Sequence, residues 1–184
     1  MRYLYHPLLL SMILFLAGCG ITPKSPAVHD FGVARSKPED RSGTLPDITV
    51  DAPKWLADNR IRYRLLYAAP TQIRFYTLDR WIAPPTELLE QQLESEGKTL
   101  SYPLVIRLLD FEQQYDAPNQ SRVLIHFSAE AYASDHKKKL GTQEFRLERL
   151  TKTPDALGAV TAFSELAQQA AGRIQTWLSG LAEP

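Results

Sequence analysis

SRVLIHFSAEAYA, residues 121–133, alternates apolar and polar side chains almost without interruption. Val123, Ile125, Phe127, Ala129 and Ala131 fall on one side, and Arg122, His126, Ser128 and Glu130 on the other. A period of two is what a strand shows when one face is buried and the other is wet. The stretch therefore reads as a half-buried strand, and the rest of the body is organised around it.

Downstream, the polar run SDHKKK (134–139) reads as a hairpin loop into KLGTQEFRLERL, where Phe145 and Leu147 oppose Glu144, Arg146 and Glu148. Upstream, YPLVIRLLDFEQQY (102–115) is apolar on both faces at its start, the mark of a central strand. Earlier still, RIRYRLLY (60–67) sets Ile61, Tyr63, Leu65 and Tyr67 against Arg60, Arg62 and Arg64. AAPT (68–71) then turns the chain into QIRFYTL (72–78), which predicts a hairpin. Ile48 and Val50 in DITVDAPKWL give a short leading strand, stopped by Pro53.

Two helices complete the body. APPTELLEQQLES (83–95) places Pro85 in a first turn and Leu88, Leu89 and Leu93 on one stripe, with Gly97 beyond as a terminator. From Pro154 to Gly180, the residues Val160, Phe163, Ala167, Ala170, Ile174, Trp177 and Leu181 recur at steps of three and four. Thr153 or Asp155 can cap that helix, and Gly180 can end it. The order of strands and helices predicts an α/β (α+β) sandwich: one mainly antiparallel sheet with two helices packed on one face. Residues 48–184 form this domain.

The N-terminus has a different character. Arg2 precedes an apolar run, Leu8–Leu16, and Ala17 and Gly18 lead into Cys19, the single cysteine of the 184-residue chain. Charged, apolar and small segments in that order make a secretory signal. Counted from Leu8 to Ala17, a ten-residue helix covers about 15 Å, half of an apolar bilayer core of about 30 Å, too little to span it. Leu16-Ala17-Gly18-Cys19 resembles the bacterial lipobox. That resemblance implies a signal peptide over residues 1–18, cleavage before Cys19, and a diacylglycerol and an N-acyl chain (palmitate among them) on that residue. Two or more chains are what stable anchoring requires. Gly20, in place of an aspartate retention signal, implies the outer membrane.

Residues 19–47 hold Pro23, Pro26, Pro38 and Pro46 among Ser, Gly, Lys and Asp, and read as the anchor and a tether. Within them HDFGV (29–33) is an apolar island fit to dock as an edge strand. A flexible tether of about 28 residues has a root-mean-square span near 30 Å.

Without residues 1–18 the chain carries 20 Lys and Arg against 21 Asp and Glu, a formal charge of −1. That balance offers no electrostatic footprint for nucleic acid. No cysteine remains to form a disulfide, so stability rests on packing. His29, His126 and His136 are far apart with no H-x-x-x-H spacing, so no metal site is expected, and no G-x-S-x-G elbow or phosphate loop is present. His126, Ser128 and Glu130 share a strand face, but same-face neighbours stand about 6.6 Å apart, too far for a proton relay. No catalytic residue and no dissociable cofactor is expected.

The arginines Arg60, Arg62, Arg64, Arg74 and Arg80, with Trp81 beside them, admit two readings. One is a contact with a partner or with anionic lipid. The other is pairing with acids such as Asp51, Asp58, Asp79 and Glu87 on a solvated face.

A family resemblance bears on this choice. Residues 47–93 contain Val50-x-x-Pro53-x-Trp55-Leu56, then Tyr63-Arg64, then Arg80-Trp81-x-x-Pro84-Pro85 opening a helix. Asp30-Phe31-Gly32 lies upstream, and LLDFEQQYDAPNQSRVLIHFSAEAY (108–132) and TWL (176–178) lie downstream. In this the chain resembles the ABC-type transport auxiliary lipoproteins, above all those of the paraquat-inducible, membrane-integrity system. Asp79 and Ile82 depart from the small residues usual at those places. The resemblance implies a non-enzymatic, periplasm-facing outer-membrane lipoprotein of an intermembrane lipid-transport machine. Its partners would be a periplasm-spanning MCE-domain protein and inner-membrane transporter components, with a homo-oligomer also implied. The alternatives are a periplasmic lipid-binding carrier and a cell-envelope hydrolase.

Overall fold

The computed structural model of the protein describes residues 24–32, 47–95 and 102–181. The expected signal segment, Cys19, most of the expected tether and Gly97 lie outside them.

The strands are β1 (Ala27–His29), β2 (Ile48–Asp51), β3 (Arg60–Leu65), β4 (Ala69–Trp81), β5 (Leu104–Ala117), β6 (Gln120–Tyr132) and β7 (Lys139–Leu150). Helix α1 (Pro85–Ser95) separates β4 from β5, and α2 (Ala156–Leu178) follows β7. All seven strands form one sheet in the order β1-β4-β3-β5-β6-β7, with β2 also paired to β5. The fold is therefore α+β. Helix α1 rests against β2, and α2 against β6, β7 and α1.

The alternation in residues 121–133 is realised fully. Val123, Ile125, Phe127, Ala129 and Ala131 have no exposed surface, while His126, Ser128 and Glu130 are partly exposed. Leu124, across from Glu112 and Glu148 in the register, is buried too, on the opposite face. The β3–β4 and β6–β7 hairpins form, the first turning at residues 66–68 rather than at AAPT (68–71), whose last three residues open β4. Strand β5 is central, paired with β2, β3 and β6.

The sheet is mixed rather than mainly antiparallel. Among the described residues β1–β4, β2–β5 and β3–β5 pair in parallel, and β3–β4, β5–β6 and β6–β7 antiparallel. The cause is topological. The connection through α1 carries the chain past β4 to the far side of β3, where β5, running opposite to β4, lies parallel to β3; a tight hairpin would have left it beside β4. Both β2 and β3 flank β5, at Leu104–Arg107 and at Gln113–Tyr115, like one strand interrupted by the 3-10 turn Lys54–Leu56 after Pro53.

The apolar island also settles differently. Strand β1 spans Ala27–His29, slightly upstream of the expected 29–33, and adds in parallel to β4 at Asp79–Trp81. Phe31, just beyond it, is buried. The stretch 19–47 is thus interrupted by a docked segment and is not one continuous tether.

In α2, Val160, Phe163, Ala167, Ala170, Ile174 and Leu178 are buried, and Trp177 is half-buried. Asp155 is the cap: its Oδ1 accepts from the Gly158 N–H at 2.7 Å and from the Thr153 hydroxyl at 2.8 Å. The core centres on Trp81, whose ring meets Phe31, Phe111 and Phe163 edge-on at 5.6, 6.0 and 5.7 Å. Edge-to-face contacts of this kind contribute beyond the area they bury.

Candidate functional site: the arginine face of the sheet

Cross-strand pairs in direct register share a face. The pairs Arg62↔Phe75, Arg64↔Gln114, Asp110↔His126 and Glu112↔Leu124 therefore lie on the side opposite Phe111 and Phe127. Arg60↔Arg80 and Val28↔Arg80 extend that face to the β1 edge. Arg60, Arg62, Arg64 and Arg80 come together here. Arg74 does not, because it pairs with Tyr63 and so faces the other way.

Each arginine of β3 is engaged. Arg60 donates from Nε and Nη2 to Asp58 Oδ2 at 2.9 and 2.6 Å, with its guanidinium carbon 3.6 Å from the centre of the Phe75 ring. Burial pushes the Asp58 pKa up, but the hydrogen bonds from the Arg60 side chain and backbone, and then the Arg60 charge, together hold it below the ordinary carboxylate value. Arg62 is only 6% exposed, sits 4.7 Å from the Trp55 ring centre and donates to the Trp55 carbonyl. Burial lowers its pKa, with Glu112, Asp110 and Asp58 pulling the other way. Arg64 makes a two-bond contact with Glu112, Nε to Oε1 at 2.9 Å and Nη2 to Oε2 at 3.1 Å, and a third bond to the Pro70 carbonyl at 2.9 Å.

Glu112 is 1% exposed and also accepts from Gln114 Nε2 at 2.9 Å. A buried carboxylate needs this set of donors to remain charged. Beside it, Asp110 has its pKa raised, first by burial and then by the Glu112 charge. Arg122 continues the network to Asp116, to Gln114 Oε1 at 3.2 Å, and with Nε 3.0 Å from Glu148 Oε2. Arg74, on the other face, donates to Gln72 Oε1 at 2.9 Å.

Of the acids expected to pair with arginines, Asp58 does so, whereas Asp79 meets His29 at 2.8 Å. Sequence reading missed Glu112, whose partner lies 48 residues away. Its one available signal was a charge set inside a strand whose start, in 102–115, is apolar on both faces. Arg80 is exposed and makes no ion pair among the described residues. Trp81, singled out as a candidate contact residue, has no exposed surface. The core claims its indole, so a partner cannot touch it.

His126 lies 2.6 Å from Glu144 Oε1, and Glu130 holds Lys139 at 2.7 Å and the Tyr132 hydroxyl at 2.6 Å. His126 and Glu130 are thus engaged with other partners, and among the described residues no hydrogen bond joins either of them to Ser128. Among the described residues no cluster of His, Cys, Asp and Glu could hold a metal ion, and no helix is long and apolar enough to cross a membrane.

Where β1 meets α2 there is an open groove of about 440 Å³, lined by Val28, Phe31, Ile82 and Val160 with Asp30 and Glu165 at its rim. Val28 and Ile82 are exposed there, at 47% and 63%.

A mixed seven-stranded sheet with two helices, one face of it laced by arginine–carboxylate pairs, defines a class of α+β domain rather than any one protein. No family model and no curated protein matches the chain. Solved structures share its fold. A crystal structure of a Xanthomonas campestris protein, assigned to the family model DUF330, is 19% identical, with 83% of this chain and 92% of that one aligned at a TM-score of 0.63. An uncharacterized protein of known structure is 14% identical, with 84% and 99% aligned at a TM-score of 0.64.

Proposed function

We propose that this chain is a non-enzymatic outer-membrane lipoprotein, anchored through acyl chains on Cys19, that serves an MCE/ABC-type intermembrane lipid-transport system and supports membrane integrity. Its partners are a periplasm-spanning MCE-domain protein and the inner-membrane transporter components, and it faces the periplasm, with a homo-oligomer as a further partner state. The observation that carries this reading is the ordered series from the lipobox through Val50-x-x-Pro53-x-Trp55-Leu56 to Arg80-Trp81-x-x-Pro84-Pro85. The engagement of His126 with Glu144 and of Glu130 with Lys139, rather than with Ser128, supports the non-enzymatic part.

The test is to tag the C-terminus in the native host, cross-link in living cells and identify co-purifying proteins by mass spectrometry. An MCE-domain protein or its transporter is the expected catch. Cell-wall proteins alone, or only further copies of this chain, overturn the transport role. The groove beside β1 favours a second reading, a lipid-binding carrier. Phospholipid retained by the delipidated domain through purification identifies that case.

A further inference from the structure

The position of β1 decides how far the domain can stand from a lipid anchor. Were residues 19–47 one free tether, the body would range over about 30 Å. Instead the chain is tied down at Ala27–His29, where β1 pairs with Asp79–Trp81. It is secured again by Phe31, whose ring meets Trp81 at 5.6 Å and whose carbonyl accepts from the Ser164 hydroxyl.

Four residues, 20 to 23, separate Cys19 from Lys24, the first described residue before β1. Fully extended, that stretch reaches at most about 18 Å, and its typical span is about 12 Å. The headgroup layer it must traverse is about 5–7 Å thick. Lys24, just before β1, therefore stays within about 13 Å of the outer surface of that layer. The β7 edge, five strand spacings away in the sheet order, is about 24 Å farther across the sheet.

The chemistry of this edge fits that location. Val28, Leu78 and Ile82 are exposed at 47%, 47% and 63%. Lys24 and Arg80 are exposed among them, and neither is in an ion pair with a described residue. On the same face Arg60, Arg64 and Arg122 are paired with Asp58, Glu112, Asp116 and Glu148, and Arg62 is buried. Apolar side chains interspersed with unpaired cations suit a bilayer surface carrying anionic headgroups.

We propose that the β1–β4 edge, with Lys24, Val28, Leu78, Arg80 and Ile82, is the membrane-apposed surface of this protein, held there by the short chain between Cys19 and β1. The proposal rests on Cys19 being the lipid anchor. It orients the sheet with β1 toward the bilayer and β7 into the periplasm, so a periplasmic partner meets the β7 side first.

The test uses the full acylated chain purified from membranes, in vesicles of phosphatidylethanolamine and phosphatidylglycerol containing a bromine-labelled lipid. Acylation leaves Cys19 without a free thiol, so Leu78→Cys and Thr142→Cys, both at exposed positions, each take a single fluorophore. Interfacial apolar groups reach about 5–10 Å into the headgroup boundary, so the label at Leu78 is expected to be quenched about threefold more than the label at Thr142. In the Lys24→Glu, Arg80→Glu background that difference is expected to shrink by half or more, about twofold. Co-flotation with equal or weaker quenching at Leu78, whether the edge is free or covered by protein, overturns this proposal alone. Failure of the unsubstituted chain to float with vesicles overturns the anchor and this proposal together.

Discussion

Arg64 and Glu112 join β3 to β5 through two parallel bonds of 2.9 and 3.1 Å, with the carboxylate 1% exposed and the guanidinium partly open to solvent. Removing one partner leaves a buried charge uncompensated, which costs about 3–5 kcal/mol. Arg64→Met is expected to lose stability in that range. Glu112→Leu combined with Arg64→Met is expected to recover most of it, because two apolar residues of similar volume leave no orphan charge. Urea midpoints of the two variants and the parent decide the matter, and a double variant as weak as the single one refutes it.

The neighbouring Asp110 sets a pH dependence of opposite sign to the usual carboxylate. Burial and the Glu112 charge raise its pKa above the ordinary 3.8, and Arg64 and Arg62 offset this only in part. The folded chain then holds that proton more tightly than the unfolded one. Its contribution is fully favourable below the ordinary value and is lost as pH rises through the raised one. Asp110→Asn is expected to be more stable than the parent near pH 7, with the difference disappearing as the pH approaches 3. Denaturant midpoints at both ends of that window measure it.

Two glycines of α2 should respond in opposite directions to alanine. At Gly158 a new Cβ would stand 2.0 Å from the Thr153 carbonyl oxygen and 2.6 Å from its Oγ1, displacing the capping turn. A loss of about 3 kcal/mol is expected. At Gly172, exposed on the helix, nothing lies within 4 Å of the added carbon. Alanine there is expected to stabilise by about 0.5–1 kcal/mol. Thermal melts of the pair should move apart.

Trp81 separates packing from hydrogen bonding. Its Nε1 is buried with no partner among the described residues, while its ring fills the space between Phe31, Phe111 and Phe163. Trp81→Ala is expected to cost about 3–5 kcal/mol. Trp81→Phe keeps an aromatic edge and removes the orphan donor, so about 1–2 kcal/mol is expected. Equal losses would mean that the indole N–H carries more of the stability than its surroundings imply.

Cys19→Ala is expected to abolish incorporation of labelled palmitate and to release the chain from the membrane fraction, leaving the folded body intact. Persistent labelling in that variant would place the acyl group elsewhere.

Much of this protein is legible in its sequence. Alternation located β3, β6 and β7, a run apolar on both faces located β5, and steps of three and four located both helices, because each pattern records which side chains face apolar surroundings. The lipobox resemblance is equally local, resting on a few adjacent residues. Alternation does not record which strand lies alongside or in which direction it runs, since parallel and antiparallel strands share the period of two. Only the folded chain therefore sets β1 beside β4, interrupts the tether, and returns β5 parallel to β3. The same holds for the arginines. Sequence placed Arg60, Arg62 and Arg64 on one face, but the assembled sheet supplied Glu112 from 48 residues away, turned Arg74 to the other side and sank Trp81 into the core. Faces are written in neighbouring residues, whereas partners depend on contacts between distant ones.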